Sequence, residues 1–178
     1  GLLTEPKSKE RTALSAQWSA VLDKLAADTT LSNAGRMYAM LGKVGLARLD
    51  NKDGPLPPAL VDEVKSQAAR VDREITNLDE RQAVITITGA VLARAGLLDE
   101  SDAMLTAELK RSHSPYYYMS QLASNAKRRG TPEGRAAAAD WSRQAYESAT
   151  GTATRLRWGG NYVNTLLEVA PQDAATIE

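Results

Sequence analysis

The chain has 178 residues, enough for one domain with a sizeable core or a short repeat array. Its 22 basic and 22 acidic side chains balance, so the basic excess of a duplex nucleic-acid binder is missing. With no cysteine there is no disulfide framework, thiolate zinc site or thiol nucleophile, and no apolar run approaches the ~20 residues of a membrane span.

In chain order, Leu14, Trp18, Val21, Leu22 and Leu25 fall on one face of a first helix ending near Asp28. Ser32 is placed to cap a second, with Met37, Met40, Leu41, Val44 and Ala47 inward. Asp50-Asn51-Lys52-Asp53-Gly54-Pro55 is the clearest break. Pro57 and Pro58 suit the first turn of a third helix, whose stripe is Leu60, Val61, Val64, Ala68, Val71 and Ile75. Asn77 or Asp79 opens a fourth, with Val84, Ile87, Val91 and Leu92 inward and Gly96 as its C-cap. Val84-Ile85-Thr86-Ile87-Thr88 has strand propensity. Its flanks are helix formers and no partner strand exists, so it is read as helix.

Asp99 is the expected cap of a fifth helix through Leu105 and Leu109. Ser114-Pro115 opens a sixth through Tyr118, Met119 and Leu122, ending at Gly130. Thr131-Pro132 opens a seventh through Trp141, and an eighth runs through Leu156, Tyr162, Val163, Leu166 and Val169 to Pro171. The tail toward Ile177 suggests a ninth, cut short. The fold class predicted is all-α: stacked antiparallel helical hairpins, about eight helices, in one domain over 1–178. Gly96 and Gly130 are 34 residues apart, as are Ala103 and Ala137, which is the tetratricopeptide period. The array is therefore read as degenerate and tetratricopeptide-like. Leu105, Leu109, Leu122, Trp141 and Leu166 are its expected core.

No catalytic, cofactor-binding or metal site is expected. His113 is the only histidine and lies in a loop with no nucleophile elbow beside it. The pairs Asp62-Glu63, Asp79-Glu80 and Asp99-Glu100 sit near helix starts, where negative charge suits the helix dipole. Lys127-Arg128-Arg129 falls at a helix C-terminus, where cations are equally expected. The aromatic residues are more specific. Consecutive Tyr116, Tyr117 and Tyr118 point three ways around a helix, so they cannot all be core. Trp158 and Tyr162 share a face with Arg155 close by. Tyr116, Tyr117, Arg155, Trp158 and Tyr162 are thus the expected partner surface, for a protein or peptide. The plainer reading is that these are large residues sealing helices together.

Three stretches carry a family resemblance: Glu80-Arg81-Gln82-Ala83-Val84, Ala95-Gly96-Leu97-Leu98-Asp99-Glu100-Ser101-Asp102-Ala103 and Glu108-Leu109-Lys110-Arg111-Ser112-His113-Ser114-Pro115-Tyr116-Tyr117. Two shorter ones follow: Ala153-Thr154-Arg155-Leu156-Arg157-Trp158-Gly159 and Ala170-Pro171-Gln172-Asp173. Together they resemble the helical region that follows the thioredoxin domain in a group of exported bacterial thioredoxin-like proteins. That family's redox chemistry resides in a Cys-x-x-Cys pair, which this chain lacks, so no catalytic residue carries over. The resemblance implies a periplasmic or otherwise exported setting and a non-catalytic interaction or scaffold role beside a thioredoxin domain. The start at Gly1-Leu2-Leu3 fits a piece of a longer protein with that domain upstream. The alternative is a free-standing tetratricopeptide-like adaptor unrelated to redox chemistry.

Overall fold

A computed structural model describes residues 8–49, 51–52 and 54–172. They form eight helices and no strand: α1 (Lys9–Ala27), α2 (Asn33–Leu49), α3 (Pro58–Glu74), α4 (Leu78–Ala95), α5 (Leu98–Glu108), α6 (Tyr116–Arg128), α7 (Pro132–Ser148) and α8 (Thr152–Val169). The all-α reading therefore holds, including for Val84–Thr88, which lies inside α4. Asp50, Asp53 and the proposed ninth helix toward Ile177 lie outside the described residues.

The helix ends follow from the local chemistry. Ser8, Asn77 and Thr131 each accept a hydrogen bond from the backbone N–H three residues on, which satisfies one orphan donor of α1, α4 and α7. The Ser32 hydroxyl accepts from the Gly35 N–H at 3.0 Å and does the same for α2. Gly96 closes α4 at φ 92° and Gly130 follows α6 at φ 69°, left-handed positions that favour glycine. The fifth helix departs from expectation. It begins at Leu98, so Asp99 lies in its first turn rather than at its cap. There the Asp99 carboxylate accepts from Arg129 at 2.6 Å.

The chain divides into two compact units, 1–97 and 98–178. In the first, α1 and α2 form a hairpin, α3 and α4 form another, and α2 packs on α4. Helix α4 is closed in nearly all round, with Val84, Ile85, Val91 and Thr88 fully buried. Met37, Met40, Val44, Val64 and Val71 complete this core. Arg81 of α4 is itself buried and ties off the end of α3. Its guanidinium donates to the Asp72 and Ile75 carbonyls at 2.9 and 2.6 Å and to the Asp72 carboxylate at 2.8 Å. Lys43 of α2 is largely enclosed and pairs with Asp23 of α1 at 2.8 Å and Glu63 of α3 at 2.6 Å. Burial alone would lower its pKa; the hydrogen bonds it donates to Asp23 and Glu63 outweigh that and hold it above the ordinary lysine value.

In the second unit α5 packs on α6, α6 on α7 and α7 on α8. At Gly134 the α7 backbone comes so close to α6 that a Cβ would lie 2.5 Å from the Ala126 carbonyl oxygen. Fully buried Asn125 of α6 donates to Ser101 at 2.8 Å and Asp102 at 2.7 Å on α5, and accepts from Gln121 at 2.9 Å. Leu105, Leu122 and Leu166 are buried as expected. Leu109 and Trp141 are only half-buried, because α5 stops at Glu108 and α7 turns its small residues, Ala138, Ser142 and Ala145, to the core instead.

Candidate functional site

The three tyrosines divide as helical geometry requires. Tyr118 is 1% exposed and points into the core, Tyr116 is half-buried, and Tyr117 is 37% exposed. Trp158 of α8 is 4% exposed, packed against Ala145, Ala149, Tyr116, Met119 and Tyr146. The rings of Tyr116, Tyr117 and Trp158 form one cluster, with centroids 5.0, 5.4 and 5.5 Å apart. The Tyr116 hydroxyl donates to Ser114 Oγ at 3.0 Å, which fixes its ring.

Arg155 and Tyr162 stand apart from this trio. Arg155 lies over the Tyr146 ring of α7, 4.7 Å from its centroid. Tyr162 is half-buried and makes no ring contact with the trio among the described residues. The cation that reaches the trio is Arg157, 5.9 Å from the Tyr117 centroid and 5.3 Å from that of Trp158.

Beside Trp158 a groove of about 220 Å³ opens between α6 and α8, a feature that aromatic pattern alone does not disclose. Ala123, Ala145 and Trp158 line its apolar part. Ser120, Ser124 and Lys127 line one wall, and Asn161, Asn164 and Glu168 the other. A signal for it was available in the sequence. Ser120, Ser124 and Lys127 step by four and three, and Asn161, Asn164 and Glu168 by three and four, so each set is a polar stripe along one helix face. Lys127 and Glu168 join in an ion pair across one end. The Ser142 hydroxyl donates to Thr165 Oγ1 at 3.0 Å beneath.

The other polar residues singled out in the sequence have local roles. Lys127 pairs with Glu168, and Arg129 pairs with Asp99 and with Asp102 at 2.8 Å, so much of the basic run is neutralised. The hydrogen bond to Asp99 is the leading reason Arg129 is held above the ordinary arginine pKa. His113 is exposed in the loop between α5 and α6. Among the described residues no three acidic, histidine or cysteine side chains gather where a metal could be held. No described helix is long and apolar enough to cross a membrane. The chain matches no protein-family model, no curated protein and no solved structure.

Proposed function

We propose that this chain is a non-catalytic helical interaction module that holds an extended protein segment in the groove between α6 and α8. The observation that carries this reading is the make-up of the groove. Two polar stripes face each other over a floor of Ala123, Ala145, Trp158 and the Ser142–Thr165 pair, and Trp158 joins that floor to the rings of Tyr116 and Tyr117. Asparagine amides offer a donor and an acceptor together, the pattern an extended backbone presents, and hydroxyls adapt to either. The aromatic cluster gives one apolar side chain of the segment a place to rest, and Tyr and Trp contribute strongly in such positions. A tetratricopeptide-like stack suits this use, because helices one repeat apart share a concave face. The narrower proposal is that the module works beside a thioredoxin domain in an exported bacterial protein, presenting client segments to it. That part rests on the resemblance of segments such as Ala95–Ala103 and Glu108–Tyr117.

The test is selection of a displayed peptide library on the purified chain, followed by calorimetry. Selected peptides should lose at least about tenfold in affinity to Asn164→Ala and to Tyr117→Ala, a change of about 1.4 kcal/mol. Both residues are exposed, so melting temperatures should hardly move. Absence of enrichment, or binding indifferent to both changes, would end the reading. The redox setting is checked separately: the coding region upstream should encode a thioredoxin fold with Cys-x-x-Cys.

A further inference from the structure

Two helices carry apolar stripes that their own units leave uncovered. On α1, Leu14, Trp18, Val21 and Leu25 are 42%, 53%, 46% and 38% exposed. On α8, Leu156, Val163 and Leu167 are 78%, 38% and 51% exposed, and Gly160 lies exposed between them. Neither stripe is the face by which its helix joins its unit. Helix α1 meets α2 through Arg11, Leu22 and Ala26: Arg11 donates to the Leu49 carbonyl, Leu22 lies over Gly42, and the Ala26 carbonyl accepts from Arg36. Helix α8 buries Trp158, Thr165 and Leu166, on the side away from Leu156.

Both stripes step by four, three and four residues, the spacing of a seam that faces a partner helix. Laid side by side in the same direction, they match layer by layer. Leu14 meets Leu156, Val21 meets Val163 and Leu25 meets Leu167. Trp18, the largest side chain of one stripe, meets Gly160, where a Cβ would find nothing within 4 Å. In the antiparallel register that keeps all four layers, Trp18 would face Val163 and the space at Gly160 would be lost to Val21. The flanks agree with the parallel pairing. In a parallel seam, a residue just before one core position reaches the residue five further along the partner. That rule sets Glu10 beside Arg157 and Gln17 beside Asn164. Arg157 is exposed and has no carboxylate partner among the described residues.

From these matches we infer that α1 of one molecule docks on α8 of a second copy of the same chain, head to tail. Because the two faces differ, each bound copy leaves another face free, and the product is an open chain or a closed ring. Four-residue stripes are well under the roughly 800 Å² per partner of a standard interface, so the association is weak and concentration-dependent. The inference does not rest on the groove reading, but the two meet at α8, where Asn164 lines the groove and lies beside Gln17 of the docked copy; Trp18→Asp and Leu156→Asp change neither groove wall.

Sedimentation velocity on the intact chain, up to near-millimolar concentration, tests it. The native chain should show a sedimentation coefficient that climbs with concentration. Trp18→Asp disables one face and Leu156→Asp the other. Each variant alone should remain monomeric, and the two mixed should form dimers that grow no further. Glu10→Arg should reduce association, and Glu10→Arg with Arg157→Glu should restore it. Glu10, Trp18 and Leu156 are exposed, so those variants should match the native chain in circular dichroism and melting; Arg157→Glu also removes the cation over Tyr117 and Trp158, so its fold is checked by the same spectra before its association is scored. A native chain that stays monomeric throughout overturns the inference. So does self-association by the Leu156→Asp variant alone, which would mean α1 pairing with α1, or a mixture that stays monomeric.

Discussion

At the scale of single residues, what decides a role is whether a polar or aromatic group is enclosed. Trp158 was a candidate contact residue by its neighbours in sequence, yet it is 4% exposed and sits among Ala145, Ala149 and Tyr146. Trp158→Ala should therefore cost about 3–5 kcal/mol in chemical unfolding, the usual loss for a buried tryptophan. Tyr117→Ala should cost much less, and equal costs would place both rings in the core. Asn125 is a different case, a buried amide whose two donors and oxygen are all used. Asn125→Ala leaves Ser101 and Asp102 short of a donor, and should lose about 1–3 kcal/mol by denaturant titration. Lys43 gives a pH dependence. Its pKa is raised in the folded chain, so its stabilisation is complete below the unfolded lysine value and falls as pH rises through the folded one. Melting temperature should drop in the alkaline range, above the ordinary lysine pKa. A Lys43→Met variant should lack that part of the drop, and identical alkaline profiles would count against the ion triad.

At the scale of helices, the caps and the close approaches carry most of the specification. Gly134 is required by the α6–α7 contact rather than by backbone conformation, because the obstacle at 2.5 Å is main-chain oxygen and cannot swing aside. Gly134→Ala should destabilise by about 1–3 kcal/mol even though alanine is the better helix former. A neutral or stabilising result in a thermal melt would show that the helices can separate at no cost. Helix α1 shows how far an apolar pattern can mislead. Leu14, Trp18, Val21 and Leu25 define its apolar face, but only Leu22 of the original set is turned toward α2. Periodicity identifies which residues share a face, not which face the neighbouring helix takes.

At the scale of the whole chain, two units each close a core of their own. In the first, α2 and α3 both pack on α4, with Val84, Ile85, Ile87 and Ala93 buried on different sides of it. Val84→Ala should therefore speed amide exchange across α2, α3 and α4 together, as expected when a cavity opens in a common core. Exchange that rises in α4 alone would mean its neighbours hold together without it. Gly96 and Gly130, 34 residues apart, are both left-handed and each follows a helix. Ala103 and Ala137, which keep the same offset, are not buried and carry no shared core position.

The sequence by itself determined the helical class, the order of eight helices and most of their ends. Those depend on apolar spacing, on Ser32, Asn77 and Thr131 as caps, and on glycines after the last turn, all of which act within a few residues. It also showed that three adjacent tyrosines could not all be internal. Only the tertiary structure decided that Arg157 rather than Arg155 reaches the Tyr117–Trp158 rings, that a polar groove runs beside them, and that the apolar side of α1 stays uncovered. Those outcomes turn on the rotation of each helix against its neighbour. That rotation is set by contacts between residues far apart in the chain, such as Leu22 over Gly42 or Asn125 with Ser101, which local pattern does not encode.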